Sequence, residues 1–246
     1  MVRTAINLYS VRELDESVEE ILDRVADAGY DGVQFSGGRT WGEAGPEKIR
    51  EKLDETGLEV TGAHVGIDEL EDDQEATVEA YRTLGCDSVV VPYLDATEFE
   101  STDAVDQTID RLQLLQDQLE DYNIELHYHN HDHEFVDLGE HTGFDRLIDG
   151  TSEIGFELDV GWAAAGGSDP VELLDRIGER GPLVHMKDVD LDTNTPVEIG
   201  TGDVDMEACA RAASEAGADW LIYEHDFPSN PTVSIERGAE ALSLLS

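Results

Sequence analysis

Short apolar runs alternate with amphipathic stretches along this chain, and the joins between them share one signature. It appears as Ala28-Gly29-Tyr30-Asp31-Gly32-Val33, Thr56-Gly57-Leu58-Glu59-Val60, Leu84-Gly85-Cys86-Asp87-Ser88-Val89 and Ala216-Gly217-Ala218-Asp219-Trp220-Leu221. In each, the first glycine supplies the left-handed residue that ends a helix, and a short apolar strand follows. Asn123 before Ile124 plays the same part, because asparagine also tolerates that conformation. Gly29, Gly57 and Gly85 lie 28 residues apart, room for one strand, one helix and two short loops. The pattern predicts eight strands: Ala5–Tyr9, Gly32–Phe35, Glu59–His64, Ser88–Pro92, Ile124–His129, Ile154–Asp159, Leu183–Lys187 and Trp220–Glu224. It predicts a helix after each: Ser17–Ala28, Pro46–Thr56, Gln74–Leu84, Asp103–Tyr122, Phe144–Asp149, Pro170–Glu179, Met206–Ala216 and Ser234–Leu245.

Strands alternating with helices imply a parallel sheet. Eight such units, strand first and helix last, predict closure into an α/β, single (β/α)8 TIM barrel over residues 1–246. An open doubly wound sheet is the alternative. The Gly-rich fingerprint of its nucleotide-binding members is missing after the first strand, where the chain reads Asn7-Leu8-Tyr9-Ser10-Val11-Arg12.

In a parallel barrel the carboxy ends of the strands form the active face, and inward side chains alternate along each strand. The unusual polar residues fall at those ends. Strand six ends in Asp159, strand seven carries His185 in phase with Lys187, and strand eight ends in Glu224. Strand three ends in His64, and strand five runs into His127-Tyr128-His129-Asn130-His131-Asp132-His133-Glu134-Phe135. An inward Asp, His and Glu on three successive strands would crowd like charges unless a cation joined them. Carboxylate and imidazole donors together suit one divalent ion of Mn, Co, Zn or Mg. For any single strand-end acid the competing reading is an N-cap for the next helix. Either His129 or Glu134 can be the strand-five ligand.

Charge and cysteine content narrow the classes. The chain carries 58 Asp plus Glu against 15 Lys plus Arg, a formal −43, and its only lysines are Lys48, Lys52 and Lys187. Such a field repels nucleic-acid phosphates and anionic membranes, so neither is an expected partner. Acid content with scarce lysine is similar to that of halophilic proteins, with an ordinary acidic protein as the alternative. Cys86 and Cys209 lack a CxxC spacing and read as small core residues. No signal-peptide core or bilayer-length apolar run is visible, so a soluble, cytoplasmic protein is expected.

The stretches Tyr128-His129-Asn130-His131-Asp132-His133-Glu134-Phe135, Glu157-Leu158-Asp159-Val160-Gly161-Trp162 and Val184-His185-Met186-Lys187-Asp188 resemble the sugar phosphate isomerase/epimerase superfamily, the xylose-isomerase-like barrels. The resemblance extends from Asn7-Leu8-Tyr9-Ser10 to Tyr223-Glu224-His225-Asp226. It implies one divalent ion held by a strand-five Glu, a strand-six Asp, a strand-seven His and a strand-eight Glu. Asp159, His185 and Glu224 match the last three. The first has no clean match, because histidines stand there and Glu134 follows several residues later.

What the resemblance implies is an isomerase, epimerase or lyase that removes a proton beside the carbonyl of a small sugar, keto-sugar or polyol, through an ene-diolate. Glu224, Glu134 or a strand-five histidine would be the base. Lys187 would donate a proton or steady an oxyanion, a salt bridge being its plainer reading. His64, His129 and His131 are candidates for hydroxyl recognition or proton relay, and Trp162 for packing on a sugar's apolar face. A homodimer is expected from the same resemblance. A catalytically silent sugar- or partner-binding barrel is the rival from another class, and an endonuclease IV-like repair enzyme is opposed by the acidic balance.

The charge generates a direct prediction. Screening shortens from about 10 Å at 0.1 M salt to about 3 Å at 1 M. The thermal unfolding midpoint of this chain should therefore rise as KCl goes from dilute to molar. A midpoint independent of salt would show that self-repulsion does not limit the fold.

Overall fold

The computed structural model describes residues 2–36 and 40–246. Eight strands close into a parallel barrel: β1 (Arg3–Asn7), β2 (Gly32–Phe35), β3 (Glu59–His64), β4 (Ser88–Val91), β5 (Glu125–His129), β6 (Gly155–Asp159), β7 (Leu183–Met186) and β10 (Trp220–Tyr223). Each strand pairs with its neighbour in the chain order of the barrel, and β1 closes the ring against β10, with Ala5 opposite Ile222. The open doubly wound alternative is thereby excluded. The helices that cover the barrel are α1 (Val18–Ala28), α2 (Pro46–Thr56), α3 (Ile67–Asp72), α4 (Gln74–Thr83), α5 (Thr102–Glu120), α6 (Gly143–Gly150), α7 (Val160–Ala165), α8 (Pro170–Ile177), α9 (Met206–Ala216) and α10 (Pro231–Leu245).

Local chemistry sets these boundaries. Ser17 and Glu20 form a reciprocal capping box at the start of α1, and Gly29 ends that helix at φ +94°. β1 stops at Asn7 instead of Tyr9, because the Asn7 side chain accepts the Tyr9 amide at 2.8 Å and turns the chain into a 3-10 segment, Leu8–Val11. Helices α3 and α7 and the hairpin β8 (Asp188–Asp190) with β9 (Thr195–Val197) have no counterpart in the sequence pattern. Each is six residues or fewer, too short to establish a period. Asp188 builds the hairpin region: its carboxylate accepts the amides of Val189, Gly200, Gly202 and Val204.

The barrel interior is divided along its axis. Ala5, Val90, Leu183, Trp220 and Ile222 form a separate apolar cluster inside it, while the main core lies between strands and helices. Towards the carboxy ends the interior turns polar, with Asn7, Gln34, His129, Glu157, Asp159, His185 and Glu224 all buried. Cys86 and Cys209 are buried free thiols, as small core residues would be. Among the described residues no helix is long and apolar enough to cross a membrane.

Packing requires the glycine at position 155. A Cβ at Gly155 would overlap the ring of His127, which is itself buried and paired in register with it. Gly155→Ala should therefore cost about 1–3 kcal/mol in urea unfolding, the usual scale of overpacking. Pairing it with His127→Ala should recover part of that loss. Equal stability of wild type and Gly155→Ala would contradict the packing.

Candidate metal centre

Strand β6 contributes two inward carboxylates, Glu157 and Asp159, because residues two apart share a face. The oxygens of Asp159 have separate roles. Oδ1 accepts the Trp162 amide at 2.8 Å and caps α7, so the N-cap reading holds for this atom. Oδ2 is buried and makes no hydrogen bond, with the Lys187 ammonium 3.0 Å away as an ion pair. Asn130 ties the ends of β5 and β6 together: its carbonyl oxygen accepts the Asp159 amide at 2.9 Å and its amide donates to the Asp159 carbonyl at 3.2 Å.

Around Asp159 Oδ2 the strands bring together one ligand atom each from His129, His185 and Glu224, all within 4.8 Å of one another. His129 Nε2 and His185 Nδ1 each stand 3.9 Å from Asp159 Oδ2, and His185 Nδ1 is 3.1 Å from Glu224 Oε2. Lys187 Nζ sits among three carboxylates, 3.0 Å from Asp159, 2.7 Å from Glu224 and 3.0 Å from Asp226. Just below, His64, His129, Glu157 and His185 form a second close group that shares both histidines.

Burial dominates the electrostatics. It pushes His129 down to about 4 and His131 down to about 2, so both imidazoles are neutral at ordinary pH. Burial opposes charge on His185 too, but Glu157 and Glu224 outweigh it and lift that ring to about 10. Burial also penalises the Glu224 carboxylate, yet Lys187 and His185 hold it well below its usual range. Asp159 and Asp226 are raised, because burial outweighs the help each gains from Lys187. Lys187 and the His185 ring are two cations against four buried carboxylates, Glu157, Asp159, Glu224 and Asp226. The set of two imidazole nitrogens and two carboxylates, with Asp159 Oδ2 lacking a hydrogen bond, fits a divalent ion such as Mn, Co or Zn.

Of the residues expected from sequence, the structure gathers Asp159, His185, Glu224, His129 and Lys187 at one point. Glu134 lies elsewhere. It is fully buried, with Oε1 accepting the Tyr128 hydroxyl at 2.7 Å and Oε2 accepting the His131 amide at 2.9 Å. Burial raises its proton affinity, and it belongs to neither close group among the described residues. Glu134 braces the loop after β5, while His129, the other strand-five candidate, is the one that stands with Asp159, His185 and Glu224. His64 and His131 line a cavity of about 600 Å³ with Tyr9, Trp41, Tyr93, Lys187, Glu224 and Asp226. Trp162 packs behind this wall, stacked on His131 with centroids 5.7 Å apart and its ring centre 4.8 Å from Lys187 Nζ.

Sequence reasoning passed over Glu157, Gln34, Asn7 and Asp226. Glu157 carried a signal, since it is two residues before Asp159 and so inward. Gln34 and Asn7 are lone amides in apolar strands, and only the closed barrel brings them to Glu157, where Gln34 Nε2 donates at 2.5 Å.

Residues 22–245 match the family described as xylose isomerase-like TIM barrel. An inosose dehydratase of Geobacillus kaustophilus is 28% identical over 197 residues, 70% of this chain and 62% of that protein, so the chain spans less than two thirds of that relative's length. A sugar phosphate isomerase/epimerase from Parabacteroides distasonis superposes with TM-score 0.84 at 21% identity, covering 98% of this chain and 94% of that one. A probable 3-DHS dehydratase from Bacillus anthracis gives TM-score 0.80 at 13% identity over 98% and 99% of the two chains. With the closed barrel and its polar mouth, the match across nearly the whole sequence shows that this chain belongs to the xylose isomerase-like TIM barrel family.

Proposed function

We propose that this chain is a divalent-metal-dependent enzyme that eliminates water from, or isomerises, a small sugar, keto-sugar or polyol by removing a proton beside a carbonyl. The observation that carries this reading is the convergence of His129 Nε2, Asp159 Oδ2, His185 Nδ1 and Glu224 Oε2 beside Lys187, at the floor of a cavity of sugar size. The similarity to an inosose dehydratase supports the substrate class.

His129, Asp159, His185 and Glu224 would hold the ion, which when bound supplies Lewis acidity to neighbouring carbonyl and hydroxyl oxygens of the substrate. Glu224, kept as a carboxylate, accepts the proton from the carbon beside the carbonyl. Lys187, kept as an ammonium by three carboxylates, gives its proton to the departing hydroxyl, which leaves as water. Return of a proton to carbon or oxygen instead would complete an isomerisation. Two-carboxylate epimerisation is less well served, because His129 stands where a second glutamate would be needed. The acidic lining formed by Glu69, Glu224 and Asp226 opposes a phosphate-rich polymer, and with it the repair-endonuclease reading.

The test is calorimetric titration of chelator-treated protein with Mn, followed by turnover of inosose and ketohexoses in D₂O. One ion per chain is expected, with solvent deuterium entering the substrate during turnover, and Asp159→Ala should lose both. A protein that binds no ion, or that turns over without exchange, overturns the reading. Lys187→Met should lower product formation by about 10²–10⁴-fold, while deuterium exchange at carbon persists. It should also destabilise the ion-free protein by about 3–5 kcal/mol, by leaving buried carboxylates unpaired. Added Mn should shrink that deficit in thermal unfolding.

A further inference from the structure

Below the proposed ion position lies a buried network that the mechanism does not use. Glu157, fully buried, is its centre. Its Oε2 is 2.5 Å from His64 Nε2, 3.0 Å from His129 Nδ1 and 3.1 Å from His185 Nε2, and its Oε1 accepts Gln34 Nε2 at 2.5 Å. We infer that Glu157 and Gln34 form an orienting platform that fixes hydrogen on His129 Nδ1 and His185 Nε2, and so leaves the opposite nitrogen of each ring to meet the ion. This deepens the proposed function and rests on it for the identity of the ligands.

The donor and acceptor assignments follow from one backbone group. The Tyr9 amide can only donate, and it donates to Asn7 Oδ1 at 2.8 Å. Asn7 Nδ2 therefore points the other way, and it donates to Gln34 Oε1 at 2.6 Å. Gln34 Oε1 is thus the acceptor end of that amide, and its Nε2 is left facing Glu157, which as a carboxylate can accept it. His185 Nε2 lies 2.7 Å from the same Gln34 Oε1 and 3.1 Å from Glu157 Oε2. Facing two acceptors, this nitrogen must carry hydrogen. His129 Nδ1, against Glu157 alone, must carry hydrogen too.

The opposite nitrogens are then the ones that can serve as ligands: His129 Nε2 is bare, and His185 Nδ1, 3.1 Å from Glu224 Oε2, carries a hydrogen that a bound ion would displace. These are the two atoms that stand 3.9 Å from Asp159 Oδ2. The same logic argues against an ion in the lower group, since its histidine nitrogens point N–H bonds at Glu157. Glu157 is therefore a positioning residue, a carboxylate behind two imidazoles. Its place on β6, one inward step before Asp159, puts ligand and support on one rigid strand.

The chain of assignments can be tested by exchanging the two partners. Glu157→Gln alone puts an amide nitrogen against either Gln34 Nε2 or the imidazole N–H groups. Gln34→Glu alone sets two carboxylates against each other. In the double variant Glu157→Gln/Gln34→Glu every donor again meets an acceptor.

Mn titration should show each single variant binding about 10–100-fold more weakly, with the double variant recovering most of that loss. Imidazole ¹⁵N NMR of the Zn-bound wild type should show hydrogen on His129 Nδ1 and His185 Nε2, and Glu157→Gln should mix the tautomers. Unchanged affinity and tautomers in Glu157→Gln would overturn the inference. So would lost binding that the exchange fails to restore, the behaviour of a Glu157 that is itself a ligand. The His129 Nδ1 hydrogen can also be read without any ion. A wild type that binds no ion but shows it defeats the proposed function and leaves the platform standing; one that lacks it defeats the platform.

Discussion

Buried negative charge is the constraint on which the upper barrel depends. Glu157, Asp159, Glu224 and Asp226 are all buried within one small volume, where each carboxylate is costly unless paired. Lys187 meets three of them, and three imidazoles meet Glu157. The arrangement separates two kinds of compensation. Glu157 is satisfied by protein hydrogen bonds, whereas Asp159 Oδ2 has only an ion pair.

The strand framework makes that crowding possible. A closed parallel barrel fixes the direction of every inward side chain, so residues from β1 to β10 meet at one depth without any loop choosing the geometry. The apolar cluster around Trp220 closes the barrel below, which gives the polar layer a dry floor. Loops then do secondary work: the turn after β5, braced by Glu134, sets His131 against Trp162, and α7 begins on Asp159 Oδ1.

The two carboxylates at the two ends of the strand-five question illustrate how charge alone misleads. Glu134 is a candidate ligand because it follows the strand-five histidines and the family resemblance implies a Glu from that strand. Its oxygens are consumed by a hydroxyl and an amide in its own loop. Glu157 is not among the candidate site residues read from the sequence, yet it meets Gln34 and three imidazoles. The difference lies in direction: one acid points back at its backbone, the other into the shared interior.

The eightfold strand and helix repeat, the helix ends at Gly29, Gly57 and Gly217, and the inward phase of Asp159, His185 and Lys187 are legible in the amino-acid pattern. These follow from local rules: hydrophobic period, left-handed glycine and alternation along a strand. Only the tertiary fold places His129, and not Glu134, beside Asp159, His185 and Glu224, and joins Asn7, Gln34 and Glu157 in one network. Their separations along the chain, 27 residues from Asn7 to Gln34 and 123 from Gln34 to Glu157, carry no periodic signal. Only closure of the barrel brings such residues within hydrogen-bonding distance, and only then does the orientation of each polar atom acquire a meaning.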